Sequence, residues 1–138
     1  EYTPRAFIER LVRPTVEEPV RARWTAVQAE VLQLRERGRP ADVRAAERAL
    51  LEFHAWLRSL RVLDPACGSG NFLYVTMHAL KRVELEVFRS LAELHGGQLG
   101  MRLAEIDPGQ FHGIEVKPWA REIAELTLWI GFHQFWRR

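Results

Sequence analysis

The stretch Arg61–Phe72, RVLDPACGSGNF, limits the possible folds more than any other part of the chain. A short apolar run, Val62-Leu63, ends in Asp64-Pro65, and Gly68-Ser69-Gly70 follows before a helical pattern begins. That order is strand, glycine turn, helix. Glycine has no Cβ, so the backbone can bend sharply and approach a ligand closely. The helix behind the turn aims its free N–H groups and the positive end of its dipole at whatever binds. An acid at the strand end, Asp64, suits a ligand that carries an amine better than it suits a phosphate.

Three ligand classes use such a turn. A phosphate loop of the GxxxxGK[ST] type needs a Lys after the glycines, and none follows Gly70. A dinucleotide site of the GxGxxG type needs a third glycine, and Leu73 stands there. S-adenosylmethionine fits the remaining pattern, D-x-x-C-G-S-G. Its methionine end carries an ammonium for Asp64, directly or through water, and a carboxylate for the backbone N–H groups of the turn. A second acid should then end the next strand and accept hydrogen bonds from the ribose hydroxyls. Glu84 and Glu86 lie near the usual spacing of about 20 residues, but the pattern places them mid-helix. Glu115 is farther along and ends a strand pattern, so context selects Glu115. Val116, Pro118 and Trp119 would then lie near the adenine.

The flanking chain reads in order. Thr3 is a candidate N-cap and Pro4 a candidate first helical residue, with Phe7, Ile8, Leu11 and Val12 on one apolar face. Pro14 and Pro19 should break the pattern. Arg23–Arg37 is helical, with Trp24, Val27, Val31 and Leu34 on one face, and Gly38 and Pro40 end it. Asp42 is a candidate cap for a second helix bearing Val43, Ala46, Leu50, Phe53 and Leu57. The pair reads as an antiparallel helical hairpin. Arg61–Asp64 is the first strand, and a helix from the glycine turn to about Leu94 carries Leu73, Met77, Leu80, Val83, Val87 and Leu91. Gly96-Gly97 ends it. Gln98–Gly109 is irregular, with a turn at Asp107-Pro108-Gly109. Phe111–Glu115 is the second strand, and a helix from Pro118 or Trp119 carries Ile123, Leu126, Leu128, Trp129 and Ile130. Two strands, each followed by a helix, imply a right-handed βαβ unit in a parallel sheet.

Composition narrows the setting. Charge is nearly balanced, 20 Lys+Arg against 18 Asp+Glu, so there is no basic stripe to track nucleic acid by itself. A single cysteine, Cys67, excludes an internal disulfide and a zinc site built on cysteines. The five histidines (54, 78, 95, 112 and 133) show no i,i+4 pair, so no metal site is expected. His54 and Trp56 read as packing residues, and the arginines as a solvated face. No apolar run approaches the roughly 18 residues of a membrane helix. A cytoplasmic protein with no membrane partner is expected. The chain has no initiator Met and stops at Trp136-Arg137-Arg138 directly after a helical pattern, so it reads as a piece of a longer protein.

DPACGSGNFL followed by GIEVKPWAREIAELTLWIG closely resembles the cofactor-binding half of bacterial amino-methylating DNA methyltransferases. YTPRAFIERLV resembles the segment that those enzymes place before the glycine motif. The order is that of the gamma class of adenine-N6 methyltransferases, and most similar are the large type IIG and IIL proteins that join methylation to restriction. The resemblance covers Tyr2–Val12, Val62–Phe72 and Gly113–Gly131. The hairpin between Arg23 and Leu60 lies outside it.

The resemblance implies an α/β fold, a partial Rossmann-like methyltransferase core preceded by the hairpin and rich in helix. Residues 1–60 form the helical segment, and residues 61–138 the first βαβα part of the S-adenosylmethionine domain. It also implies roles. Thr3, with Tyr2 and Pro4, lines the methionine end. Asp64, Ala66 and Gly68 contact the amino-acid part, within a turn that includes Pro65, Cys67 and Gly70. Phe72 packs beneath the cofactor, Glu115 takes the ribose, and Val116 adjoins it. DNA and the remainder of the methyltransferase domain are the implied partners.

One departure is decisive. The family's catalytic tetrapeptide, Asn/Asp/Ser-Pro-Pro-Tyr/Phe, is absent from these 138 residues. It holds the target amine and stacks on the flipped base, so this chain alone should be inactive. Cys67 lies inside the cofactor turn and not on a Pro-Cys loop, so it reads as packing and not as a cytosine-C5 nucleophile. The aromatic cluster Trp129, Phe132, Phe135 and Trp136 reads as core that the rest of the domain would cover. Two alternatives stay open: an RNA or protein methyltransferase piece, and a ligand-free helical module that self-associates.

Overall fold

A computed structural model describes residues 3–97 and 103–135. Helix α1 spans Arg5–Val12, α2 Glu18–Arg37, α3 Pro40–Ser59, α4 Asn71–Leu94 and α5 Pro118–Phe135. Strands β1 (Val62–Asp64) and β2 (Phe111–Gly113) pair in parallel, with Val62 opposite Phe111 and Asp64 opposite Gly113. Among the described residues no helix is long and apolar enough to cross a membrane.

The helical hairpin forms as expected. Gly38 closes α2 at φ 68°, a left-handed cap that its missing Cβ makes easy. Val20, Trp24 and Val31 of α2 meet Ala46, Leu50, Phe53 and Leu57 of α3 in one core with Leu73, Met77, Leu80, Val83, Val87 and Leu91 of α4. Trp24 and Phe53 stack at 5.0 Å between ring centroids. The Trp24 indole N–H donates to Glu86 at 2.7 Å and Arg21 donates to the same carboxylate at 2.6 Å, so α2 is tied to α4 by polar as well as apolar contacts. Trp56 lies in the same core, and His54 is buried.

Three local expectations need correction. Pro14 and Pro19 do not interrupt the helix. Residues 13–17 form a π-helical turn that joins α1 to α2 without a break. Proline lacks the N–H that a helical turn would use and its ring crowds the preceding turn; the wider π turn gives the ring room. Pro19 sits at the start of α2, where its fixed φ is tolerated. Thr3 does not cap α1: Pro4 takes the cap position with an extended ψ of 142°, and no side-chain cap bond forms. Asp42 is not the cap of α3 either. The helix starts at Pro40, and Asp42 lies in its first turn, bonded to Arg39 at 2.6 Å.

The sheet has one covered and one open face. Val62 and Phe111 turn inward and join the core, whereas their neighbours Leu63 and His112, opposite each other, are exposed. Helix α5 also differs from its sequence pattern. It buries Ala120, Ala124, Leu128 and Gly131 against α4, and leaves Trp119, Ile123, Leu126, Trp129 and Ile130 outside. Gly131 permits that close packing, because a Cβ there would stand 2.4 Å from the Tyr74 ring.

Candidate functional site

The glycine turn begins where β1 ends. Cys67 N–H donates to the Ile114 carbonyl at 3.1 Å and Ile114 N–H to the Asp64 carbonyl at 3.0 Å, so the chain after β2 is laced to the turn after β1. Gly70 N–H closes the turn on the Cys67 carbonyl at 2.8 Å. Gly68 and Gly70 adopt φ of 53° and 82°, values that L side chains rarely reach. At Gly68 nothing would meet a Cβ within 4 Å, so its left-handed backbone faces open space. Gly70 is instead pressed on by α5: a Cβ at residue 70 would stand 3.1 Å from both Cα and Cβ of Ala124. The first turn of α4 has no side-chain cap, which leaves its N–H groups for a ligand.

A cavity of about 410 Å³ opens at this turn, within the range of roughly 300–1,000 Å³ typical of small-molecule sites. Thr3, Asp64, Pro65, Ala66, Cys67, Gly68 and Phe72 line it. Thr3 is thus brought to the turn from the far N-terminal end of the sequence. Asp64 Oδ1 accepts the Ala66 N–H at 3.0 Å, which fixes the carboxylate and leaves Oδ2 for a ligand donor. Phe72 is half-buried and packs against the cores on both sides of α4.

β2 ends at Gly113, so Glu115 lies two residues past the strand and does not end it as the sequence pattern predicted. Its Oε1 accepts the Lys117 N–H at 2.8 Å. Its carboxyl is held below the ordinary 4.5, first by that bond and further by the Val116 and Gly68 N–H groups and the Lys117 ammonium, while burial works the other way. The Cys67–Ile114 backbone bond brings this second acid beside the glycine turn. Cys67 feels the charge of both acids. Burial pushes its thiol above the ordinary 9.0, and the Asp64 and Glu115 charges add to the shift. A thiol so disfavoured as thiolate is not an activated nucleophile.

The remaining sequence candidates stand apart. Pro4 and Gly70 do not line the cavity, Gly70 lying buried behind it. Val116 is 91% exposed and Trp119 61%, so the wall expected near the adenine is open. Tyr2 and Trp136 lie outside the described residues. Conversely, Ile8, Leu11, Leu63, Ser69 and Asn71 line the cavity, although the sequence pattern did not mark them for it. Ile8 and Leu11 lie on α1, which begins two residues after Thr3, and their i,i+3 spacing is the signal that could have marked them. Among the described residues no group of three His, Cys, Asp or Glu side chains converges as metal ligands.

This arrangement can hold an ammonium at Asp64, a carboxylate at the α4 N-terminus and a diol at Glu115, over an apolar floor. DNA methyltransferase A of Bacillus subtilis (strain 168) is 43% identical over 75 residues, which cover 54% of this chain and 8% of that protein. The solved structure of the type IIL restriction-modification enzyme MmeI in complex with DNA matches 97% of this chain and 16% of its own, with a TM-score of 0.77 and 33% identity. The chain therefore spans a small part of the length of these relatives. The family described as MmeI, DNA-methyltransferase domain, matches residues 41–137, and the chain belongs to that family.

Proposed function

We propose that this chain is the S-adenosylmethionine-binding part of a site-specific DNA adenine-N6 methyltransferase of a restriction–modification system. The observation that carries the reading is the convergence of three distant segments. Thr3 and Asp64 line one cavity, and the Cys67–Ile114 backbone bond brings Glu115 to the glycine turn beside it. Bound S-adenosylmethionine would supply an electrophilic methyl group on its sulfonium. Asp64 Oδ2 holds the amino group, and the uncapped α4 N-terminus takes the carboxylate. Glu115 accepts from the ribose hydroxyls, and Phe72, with Leu11, forms the apolar floor. The β1–α4–β2–α5 segment is the first part of a Rossmann-like sheet, and residues 1–60 support it from one side.

The tetrapeptide that would hold the target amine is not among these residues, so methyl transfer needs the remainder of the methyltransferase domain. The outer face of α5 is a surface that remainder covers, and the DNA is met through the assembled domain. Calorimetry with S-adenosylmethionine and S-adenosylhomocysteine tests the site. Asp64→Ala and Glu115→Ala should each weaken binding by about tenfold, the scale of a lost hydrogen bond to a charged group. Unchanged affinity in both variants would sink the reading.

A further inference from the structure

Glu84 lies at the middle of α4 with its side chain fully buried. A buried carboxylate is costly unless it is paired and fully hydrogen-bonded. Oε1 accepts the Ile106 N–H at 2.7 Å and meets His54 Nε2 at 2.9 Å. Oε2 accepts from Lys81 Nζ at 3.3 Å, and Lys81, itself buried, also donates to Glu105 at 3.2 Å. One carboxylate thus joins α3, α4 and the segment that leads into β2. Gln110 makes a second tie on that segment. Its Nε2 donates to the carbonyls of Leu57 and Leu60 at 3.2 and 3.1 Å, and its Oε1 accepts the Asp107 N–H at 3.1 Å. Leu60 leads into β1, and Ile106 and Gln110 lead into β2.

Two strands of three residues each hold their own register weakly. A slip of one residue would turn every side chain of β2 to the other face and carry Glu115 away from Gly68. We propose that Glu84 and Gln110 are positioning residues: by clamping the approach to β2 onto α4 and the end of α3, they set the strand register that holds the Glu115 carboxylate at the glycine turn. This rests on the reading of Glu115 as a cofactor residue. The clamp acts on backbone groups, so what it needs from residue 84 is an acceptor oxygen facing the Ile106 N–H.

The test compares two charge-balanced pairs in the full-length protein, with S-adenosylhomocysteine affinity as readout. Glu84→Leu with Lys81→Met removes both charges and the acceptor; Glu84→Gln with Lys81→Met removes the charges and keeps an acceptor. The Leu pair should bind about tenfold more weakly, and the Gln pair should keep most of the affinity. In a Glu115→Ala background the Leu pair should cost nothing further, because no carboxylate is left to position. Equal losses in the two pairs, or a Leu-pair loss undiminished in the Glu115→Ala background, would overturn the proposal and leave the cofactor site standing. If Glu115→Ala alone changes nothing, the reading of Glu115 as a cofactor residue falls and the positioning role falls with it. Should the Leu pair not fold, Gln110→Met takes its place in the same cycle with the same expected outcomes.

Discussion

Gly113 and Cys67 touch so closely that a Cβ on residue 113 would stand 2.5 Å from the Cys67 sulfur and 2.7 Å from its Cβ. The last residue of β2 is therefore shaped to receive the side chain from the glycine turn. The thiol fills the gap between strand and turn.

Gly113→Ala should destabilise the fold by about 1–3 kcal/mol, the usual cost of overpacking, read as a fall in Tm. Because Cβ as well as sulfur is in the way, Cys67→Ala should not relieve it. Cys67→Gly should restore part of the loss. Full rescue by Cys67→Ala would mean that the strand and turn are less tightly joined than these distances require.

The Cys67 thiol should react slowly with a thiol reagent at pH 8. Its folded-state pKa is raised, so the folded protein keeps its proton where the unfolded chain begins to lose it. The stability tied to that proton is complete below the ordinary thiol value and declines as pH rises above it. Labelling should therefore accelerate in denaturant at the same pH. Cys67→Ser should retain cofactor affinity, whereas a Cys67 that labels as fast folded as unfolded would contradict its burial.

Glu115 carries the opposite sign. Its folded-state pKa is depressed, so the stabilisation of the 115–117 turn is complete above the ordinary glutamate range. It is lost as pH falls through the depressed folded value. Carboxyl NMR should place the Glu115 midpoint below 4.5, and S-adenosylhomocysteine affinity should persist down to that midpoint. A midpoint at or above the ordinary value would remove the Gly68 contact from the site.

Glu86→Ala should cost about 1–3 kcal/mol, because the indole N–H of the buried Trp24 would lose its acceptor. Urea unfolding measures it. The cofactor affinity of the folded variant should stay unchanged, since Glu86 serves the junction of α2 with α4 and not the cavity. A loss of affinity as large as that of Glu115→Ala would show that the junction reaches the site.

Much of this was legible from residue types. The glycine turn could be read because positive φ demands glycine, and the hairpin because Trp24, Leu50, Phe53 and Leu57 keep a helical period. The pattern set Glu84 and Glu86 mid-helix, and both are there, hydrogen-bonded to other elements, whereas Glu115, expected to end the second strand, lies two residues past it. Pro14 misled, because the missing N–H of proline argues for a break and does not reveal a π turn that tolerates it. Helix α5 was ambiguous for another reason. It is apolar around most of its circumference, so no single stripe marks the face that small residues such as Ala124 and Gly131 bring against α4.

That π turn has a mechanical consequence. Because it joins α1 to α2 without a break, one helical rod runs from beside Thr3 at the cavity to Gly38 at the hairpin tip. At roughly 1.5 Å per residue, the rod is several times longer than the cavity is wide. One continuous helical run thus supplies both a wall of the cavity, through Ile8 and Leu11, and the first arm of the hairpin.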